Sequence, residues 1–146
     1  MNNWSFQKLF NRRPTSATVG LSIAAISFLA TILQGVISLL TSQNFFFFDF
    51  ITGQDFDGGG LTWKQAIIGI TWATTGLVAC YFALEPRNAA RFTVVITSGV
   101  KLFAFIAYSS VVNLPTWLYI LTIAIAIIPV ILLLSKSSNE YYGRNQ

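Results

Sequence analysis

Few side chains in this sequence can perform acid–base, redox or metal chemistry. The 146 residues include no histidine, one cysteine (Cys80) and five carboxylates. Histidine is the commonest general base and a frequent haem ligand, so the chain lacks the residue on which many such sites depend. A single cysteine can form neither a disulfide nor a CxxC motif within the chain. The sequence therefore predicts no catalytic centre and no intrinsic metal or cofactor site, and it predicts that the protein is not an enzyme.

Lys101 is the residue whose position most demands a chemical explanation. It lies in the middle of a long apolar stretch. A charge at the centre of a membrane helix costs about 2.5–3.5 kcal/mol on insertion scales. The usual remedy is a carboxylate partner, yet none of the four long apolar stretches of the chain contains Asp or Glu.

Three explanations of Lys101 stay open. Thr97 and Tyr108 share its helical face, and this polar stripe can meet polar side chains on other helices, namely Gln34, Thr71, Thr74 and Thr75. The second explanation is a partner group from a neighbouring subunit, a lipid or a pigment. The third is a transport path that Lys101 lines, although proton relays normally also contain carboxylates or histidines.

A phenylalanine-rich segment precedes the second apolar stretch. It begins with Phe45, Phe46, Phe47, Phe48 and Asp49. So many aromatic side chains are not typical of a solvated linker, whereas aromatic residues are common at membrane–water interfaces. Two interpretations stay open: an aromatic belt on the outer leaflet, or a binding surface for a protein partner, a carotenoid or a quinone-like ring.

The elements that position these residues follow from hydropathy. Hydrophobic residues make up 54% of the chain and charged residues only 10%, against about 25% charged in a soluble domain. Four apolar stretches, 17–41, 63–84, 91–112 and 115–135, each reach the roughly 20 residues that a membrane helix needs. None alternates as the strands of a β-barrel do. The sequence predicts an all-α integral membrane protein with four transmembrane helices.

The basic residues predict the orientation of these helices. If the chain crosses the membrane four times, seven of the basic residues beside the stretches lie on the same side: Lys8, Arg12, Arg13, Arg87, Arg91, Lys136 and Arg144. Only Lys64 lies on the other side. The positive-inside rule then places both termini, tails 1–16 and 136–146, on a cytoplasmic or stromal side, with loop 42–62 outside. The basic residues are scattered between the apolar stretches and form no continuous basic surface in the sequence. The net charge of +4 is therefore not expected to serve nucleic-acid binding.

Small residues recur at helical spacing in the first two stretches. The first contains Gly20, Ala24, Ser27, Thr31 and Gly35, and the second contains Ala66, Gly69, Ala73 and Gly76. Membrane helices associate where small residues let the backbones approach closely. The pattern favours packing of the first helix on the second, and the alternative is that one of the seams docks on a partner subunit.

Together these features predict an accessory subunit of a larger membrane complex, photosynthetic or respiratory. The expected partners are membrane lipids and other membrane subunits, with no nucleic acid. A bound carotenoid or chlorophyll would have to be held without histidine ligation. The expected location is a bacterial inner or thylakoid membrane. The alternative function is a small oligomeric transporter or channel in which Lys101 lines the path.

Overall fold

The computed structural model describes residues 13–41, 63–109 and 116–143. In this part of the chain all regular structure is helical: α1 (Thr15–Thr41), α2 (Trp63–Phe82), α3 (Asn88–Ser109), α4 (Thr116–Leu134) and α5 (Lys136–Gly143). The first four helices are long and apolar enough to cross a membrane. The prediction of an all-helical chain with four such helices is therefore confirmed.

The helix ends differ from the predicted ones at the connection between α2 and α3. The predicted second stretch runs to residue 84, but α2 ends at Phe82 and two turn residues follow it. Pro86 disfavours helical geometry at the residue before it, so the chain leaves the helix ahead of Glu85. The next helix begins at Asn88, three residues before the predicted start. Loop 42–62, with Phe45–Phe48 and Asp49, lies outside the described residues.

The four long helices form a ring. Within the described ranges α1 packs on α2 and α4, and α3 packs on the same two helices. Helices α1 and α3 are therefore diagonal to each other, and the α1–α2 contact is the most extensive. The interior is built from small residues around one large ring, that of Phe28. Large apolar side chains such as Leu40, Ile96 and Phe103 point outward, which suits a surface bathed in lipid.

The glycines of the predicted seams pack on different helices. A Cβ built on Gly35 would lie 2.6 Å from Ile70 of α2, and one on Gly76 would lie 2.5 Å from the Phe28 ring of α1. Gly20 instead faces α4, where a Cβ would lie 3.1 Å from Leu132, and Gly69 has no neighbour within 4 Å of such an atom. Of the other predicted packing residues, Ala24 and Ala73 are buried and Thr31 is half-buried.

Candidate functional site

Lys101 extends from α3 across the centre of the bundle to α1. Its Nζ donates hydrogen bonds to the backbone carbonyl oxygen of Ser27 (2.9 Å) and to Ser27 Oγ (2.6 Å). Because α1 and α3 are diagonal in the ring, this side chain joins two helices that otherwise have little contact. We call Lys101 and Ser27 the central junction.

The surroundings of the central junction are mixed in polarity. The Phe28 ring centroid lies 6.0 Å from Lys101 Nζ, within reach of a weak cation–π attraction. A small cavity beside the junction, of about 10 Å³, is lined by residues from three helices: Ala24, Ser27, Phe28, Ser98, Lys101, Ile125, Ala126 and Pro129. The ammonium group therefore sits among hydroxyls, backbone and apolar side chains.

Neutral oxygen atoms, not a carboxylate, hold the Lys101 ammonium in the described part of the chain. The acidic residues of that part are Glu85 and Glu140. Glu85 pairs with Arg87 at 2.7 Å in the connection after α2, and Glu140 is an exposed residue of α5. Hydrogen bonds to a charged group contribute more than neutral ones, about 1.5–3 kcal/mol each, so two of them offset part of the burial cost.

The other polar residues predicted around Lys101 lie elsewhere. Thr97 is buried, but its hydroxyl bonds to the carbonyls of Thr93 and Val94 in its own helix. The three predicted threonines of α2 are exposed on the outer face of that helix: Thr71, Thr74 and Thr75. Gln34 is half-buried on α1, and the side chain of Tyr108 is outside the described part. The sequence predicts Ser27 only as a small packing residue of the first seam. Its hydroxyl is the feature that could have identified it as a partner of Lys101.

A second polar cluster lies at one end of the bundle, around the carbonyls of Ala83 and Leu84, the two turn residues that follow α2. The Tyr142 hydroxyl donates to the Ala83 carbonyl at 2.7 Å, and Arg13 Nη2 donates to the Leu84 carbonyl at 2.6 Å. The final carbonyls of a helix have no donor within the helix, and the helix dipole makes that end negative. A guanidinium and a hydroxyl from other elements therefore bond the carbonyls of the turn just beyond this end of α2.

Helix α5 is held in this cluster by Arg91 and by serine hydroxyls. Arg91 Nη1 donates to Asn139 Oδ1 at 2.6 Å, and its guanidinium lies 5.1 Å from the Tyr142 ring centroid. The hydroxyls of Ser16 and Ser138 are 3.0 Å apart. Segments 13–16, 83–91 and 135–142 thus meet at one end of the bundle. We call this the end cluster.

In the described residues the polar groups of these two sites are engaged as hydrogen-bond donors and acceptors. Within the described residues no group of three His, Cys, Asp or Glu side chains is placed to hold a metal ion. Cys80 is buried in the small-residue core. Covalent catalysis requires a nucleophile next to a general base. The described residues of the end cluster contain no such pair. The central junction does place the Ser27 hydroxyl 2.6 Å from Lys101 Nζ, but there the ammonium donates a hydrogen bond and does not act as a base.

The Tyr142→Phe substitution is expected to destabilise the protein by about 1 kcal/mol, because the buried Ala83 carbonyl loses its donor. Burial also raises the pKa of Tyr142 to about 12, with Arg13 and Arg91 opposing part of the shift. The folded state therefore holds this proton more tightly than the unfolded chain does. The stabilisation is fully present below pH of about 10, the ordinary tyrosine pKa, and is lost as the pH rises toward 12.

SDS titrations of the detergent-solubilised protein at a series of pH values would measure this effect. Tyr141→Phe is the matched control, since Tyr141 is the adjacent residue, is less buried, and reaches the Leu84 carbonyl only at 3.5 Å. The Tyr142→Phe variant should show a smaller loss of stability in alkali than the wild type. Identical alkaline curves for both proteins would contradict the assignment.

Comparison with known protein families, with curated proteins and with solved structures finds no match to this chain.

Proposed function

We propose that this chain is an accessory, non-catalytic subunit of a larger membrane complex and that it docks through the outer face of α2. The observation that carries the proposal is that Thr71, Thr74 and Thr75 are all exposed on that face, midway along the helix. Helix contacts in membranes are enriched in Gly, Ala, Ser and Thr. Against a lipid-only surface, the same positions would more commonly carry Leu, Ile or Val.

The character of α2 supports this choice of face. It is the least apolar of the four candidate spans. The Thr71 and Thr75 hydroxyls bond to the carbonyls of Ile67 and Thr71 in their own helix, at 2.9 and 3.0 Å. Their methyl groups and short stems then present a shallow surface on which a partner helix can approach closely. The central junction adds a structural role for Lys101, because two of its three donors are used within the bundle.

A triple substitution tests the proposed docking face. Replacing Thr71, Thr74 and Thr75 with leucine would make the face lipid-like without touching the bundle interior. We expect the wild type, solubilised in mild detergent, to migrate on native gels and in native mass spectrometry within a particle much larger than its own dimer. The triple variant should dissociate from that particle almost completely.

The matched control enlarges another outward surface. Val19 and Val36 are exposed on α1, and Val19→Leu with Val36→Leu should leave the large particle intact. A wild-type chain that migrates only as a monomer, or only with copies of itself, would contradict the accessory-subunit proposal. Absorbance that co-purifies with the particle would identify a photosynthetic host with carotenoid or chlorophyll; its absence from an intact particle would favour a respiratory one.

The proposed orientation places both termini on the cytoplasmic or stromal side of a bacterial inner or thylakoid membrane. Its support is that the end cluster gathers Arg13, Arg91 and α5 at one end, whereas Lys64 stands at the start of α2, at the opposite end of that helix. A Ser137→Cys variant in a Cys80→Ala background should resist an impermeant maleimide in sealed vesicles whose periplasmic or lumenal face is outward, and react after permeabilisation. Labelling before permeabilisation would contradict this orientation.

A transporter remains the second candidate, because Lys101 lines a small cavity in the bundle together with Ser27 and Ser98. That cavity, of about 10 Å³, is far smaller than a solute path. The transporter is supported instead of the accessory subunit if native mass spectrometry finds only homo-oligomers and Lys101→Met abolishes flux while assembly is retained.

A further inference from the structure

The cavity beside the central junction is lined by polar as well as apolar side chains. Phe28, Ala24 and Ala126 contribute apolar walls, but Ser27, Ser98 and Lys101 also line it. Ser98 is 5% exposed, so its hydroxyl is withdrawn from the outer surface. A dry cavity in a membrane protein is expected to be lined by apolar groups alone.

Lys101 supplies a hydrogen-bond donor beside this cavity. An ammonium group has three N–H donors. Two point to the carbonyl and hydroxyl oxygens of Ser27. The third needs an acceptor in a part of the bundle where water is otherwise excluded, because a buried donor without a partner is costly.

Helix α4 forms the opposite wall of the cavity and contains a break in its own hydrogen bonding. Pro129 lies inside α4 and is buried. Proline has no N–H, so the carbonyl of the residue four positions earlier, Ile125, receives no helical hydrogen bond from it. Ile125, Ala126 and Pro129 all line the cavity. The proline turn of α4 thus faces the lysine of α3.

We propose that this cavity holds one structural water molecule, which accepts from Lys101 Nζ and donates to the Ile125 carbonyl, with the Ser98 hydroxyl as a further partner. The volume of about 10 Å³ is close to the smallest that holds one water, and a buried water makes about two to four hydrogen bonds. The water links α4 to the Lys101–Ser27 contact, so one lysine ties three helices together. This inference is independent of the proposed function.

The direct test is water-to-nitrogen polarisation transfer in the reconstituted, ¹⁵N-lysine-labelled protein. Lys64, at the exposed start of α2, serves as the positive control for water contact. The wild type should show transfer to Lys101 Nζ at short mixing times, and Ser98→Val, which fills the cavity, should lose most of it. No transfer in the wild type would overturn the proposal.

The sign of the stability change gives a second, independent readout. If the cavity holds water, Ser98→Val expels it and should lower the SDS midpoint below that of Ser98→Ala, which keeps the space. If the cavity is dry, the added methyl groups fill a void and raise the midpoint, which would overturn the proposal. Replacing chloride by fluoride or bromide should leave the Lys101 Nζ resonance unchanged; a halide-dependent shift would identify an anion instead of water.

Discussion

The Ser27→Ala substitution is expected to destabilise the bundle by about 1.5–3 kcal/mol in the wild-type background, the range for a hydrogen bond to a charged group. In a Lys101→Met background the same substitution should cost less than about 0.5 kcal/mol, as for a surface change. The difference follows from the central junction, in which Ser27 Oγ accepts from Lys101 Nζ at 2.6 Å. Without the ammonium, the serine hydroxyl can bond to a carbonyl of its own helix.

The Lys101→Met substitution alone should be neutral or stabilising. Replacing a buried charge by an apolar side chain of similar length removes the desolvation cost together with the contact, whereas removing only the partner leaves the charge uncompensated. The two single substitutions therefore have opposite expected effects, although they break the same hydrogen bond. This asymmetry separates a charge held by Ser27 from one held by an external partner.

A double-mutant cycle with SDS titration measures the coupling between Ser27 and Lys101. Contacting residues show interaction energies of about 0.5–3 kcal/mol, and the junction should lie in the upper part of that range. Ser22→Ala is the matched control, because Ser22 is an exposed serine of the same helix. An equal cost of Ser27→Ala with and without Lys101 would show that the two side chains do not interact in solution.

The four long helices could be predicted from the sequence because hydrocarbon imposes a simple requirement. Backbone groups in lipid must be satisfied within the segment, so length and apolarity alone define a helical span. The limits of α1 and α2 follow the apolar stretches to within two residues at each end. The earlier start of α3, at Asn88, reflects that polar residues next to an interface can continue a helix beyond its apolar part.

Which face of each helix points into the bundle could not be predicted in the same way. In water, apolar periodicity identifies the core, but lipid is as apolar as leucine and gives no such contrast. The helical spacing put Thr71, Thr74 and Thr75 within reach of Lys101, and the structure turns them outward. Ser27 is the residue that does contact Lys101. It belongs to a series of small residues that helix packing alone explains, so the sequence pattern gives no reason to expect a hydrogen bond to it.

Helix α5 could not be predicted from the sequence either, because residues 136–146 have the composition of a polar tail. An isolated helix of eight residues has little stability alone. The structure shows what compensates: Tyr142 and Ser138 are fully buried, and Arg91 donates to Asn139. The bonds of Arg91 to Asn139 and of Tyr142 to the Ala83 carbonyl join residues 48 and 59 positions apart along the chain, so local propensity contains no trace of them.

The Gly76→Ala substitution is expected to destabilise the bundle by about 1–3 kcal/mol, the usual cost of an overpacked core. A Cβ at this position would lie 2.5, 2.7 and 2.8 Å from three atoms of the Phe28 ring. The ring is 1% exposed, and the space into which it could retreat is the small cavity beside Lys101. Relief of the clash would therefore disturb the central junction.

Gly69→Ala is the matched control for this prediction, because it makes the same change in the same helix. A Cβ there has nothing within 4 Å, and alanine is favoured over glycine within a helix by roughly 0.5–1 kcal/mol. Gly69→Ala should therefore be neutral or slightly stabilising in SDS titration. Adding Phe28→Leu to Gly76→Ala should recover part of the loss, since the smaller side chain vacates the contact. Equal effects of the two glycine substitutions would mean that α1 and α2 do not approach closely at Gly76, and the ring arrangement of the helices would then have to be revised.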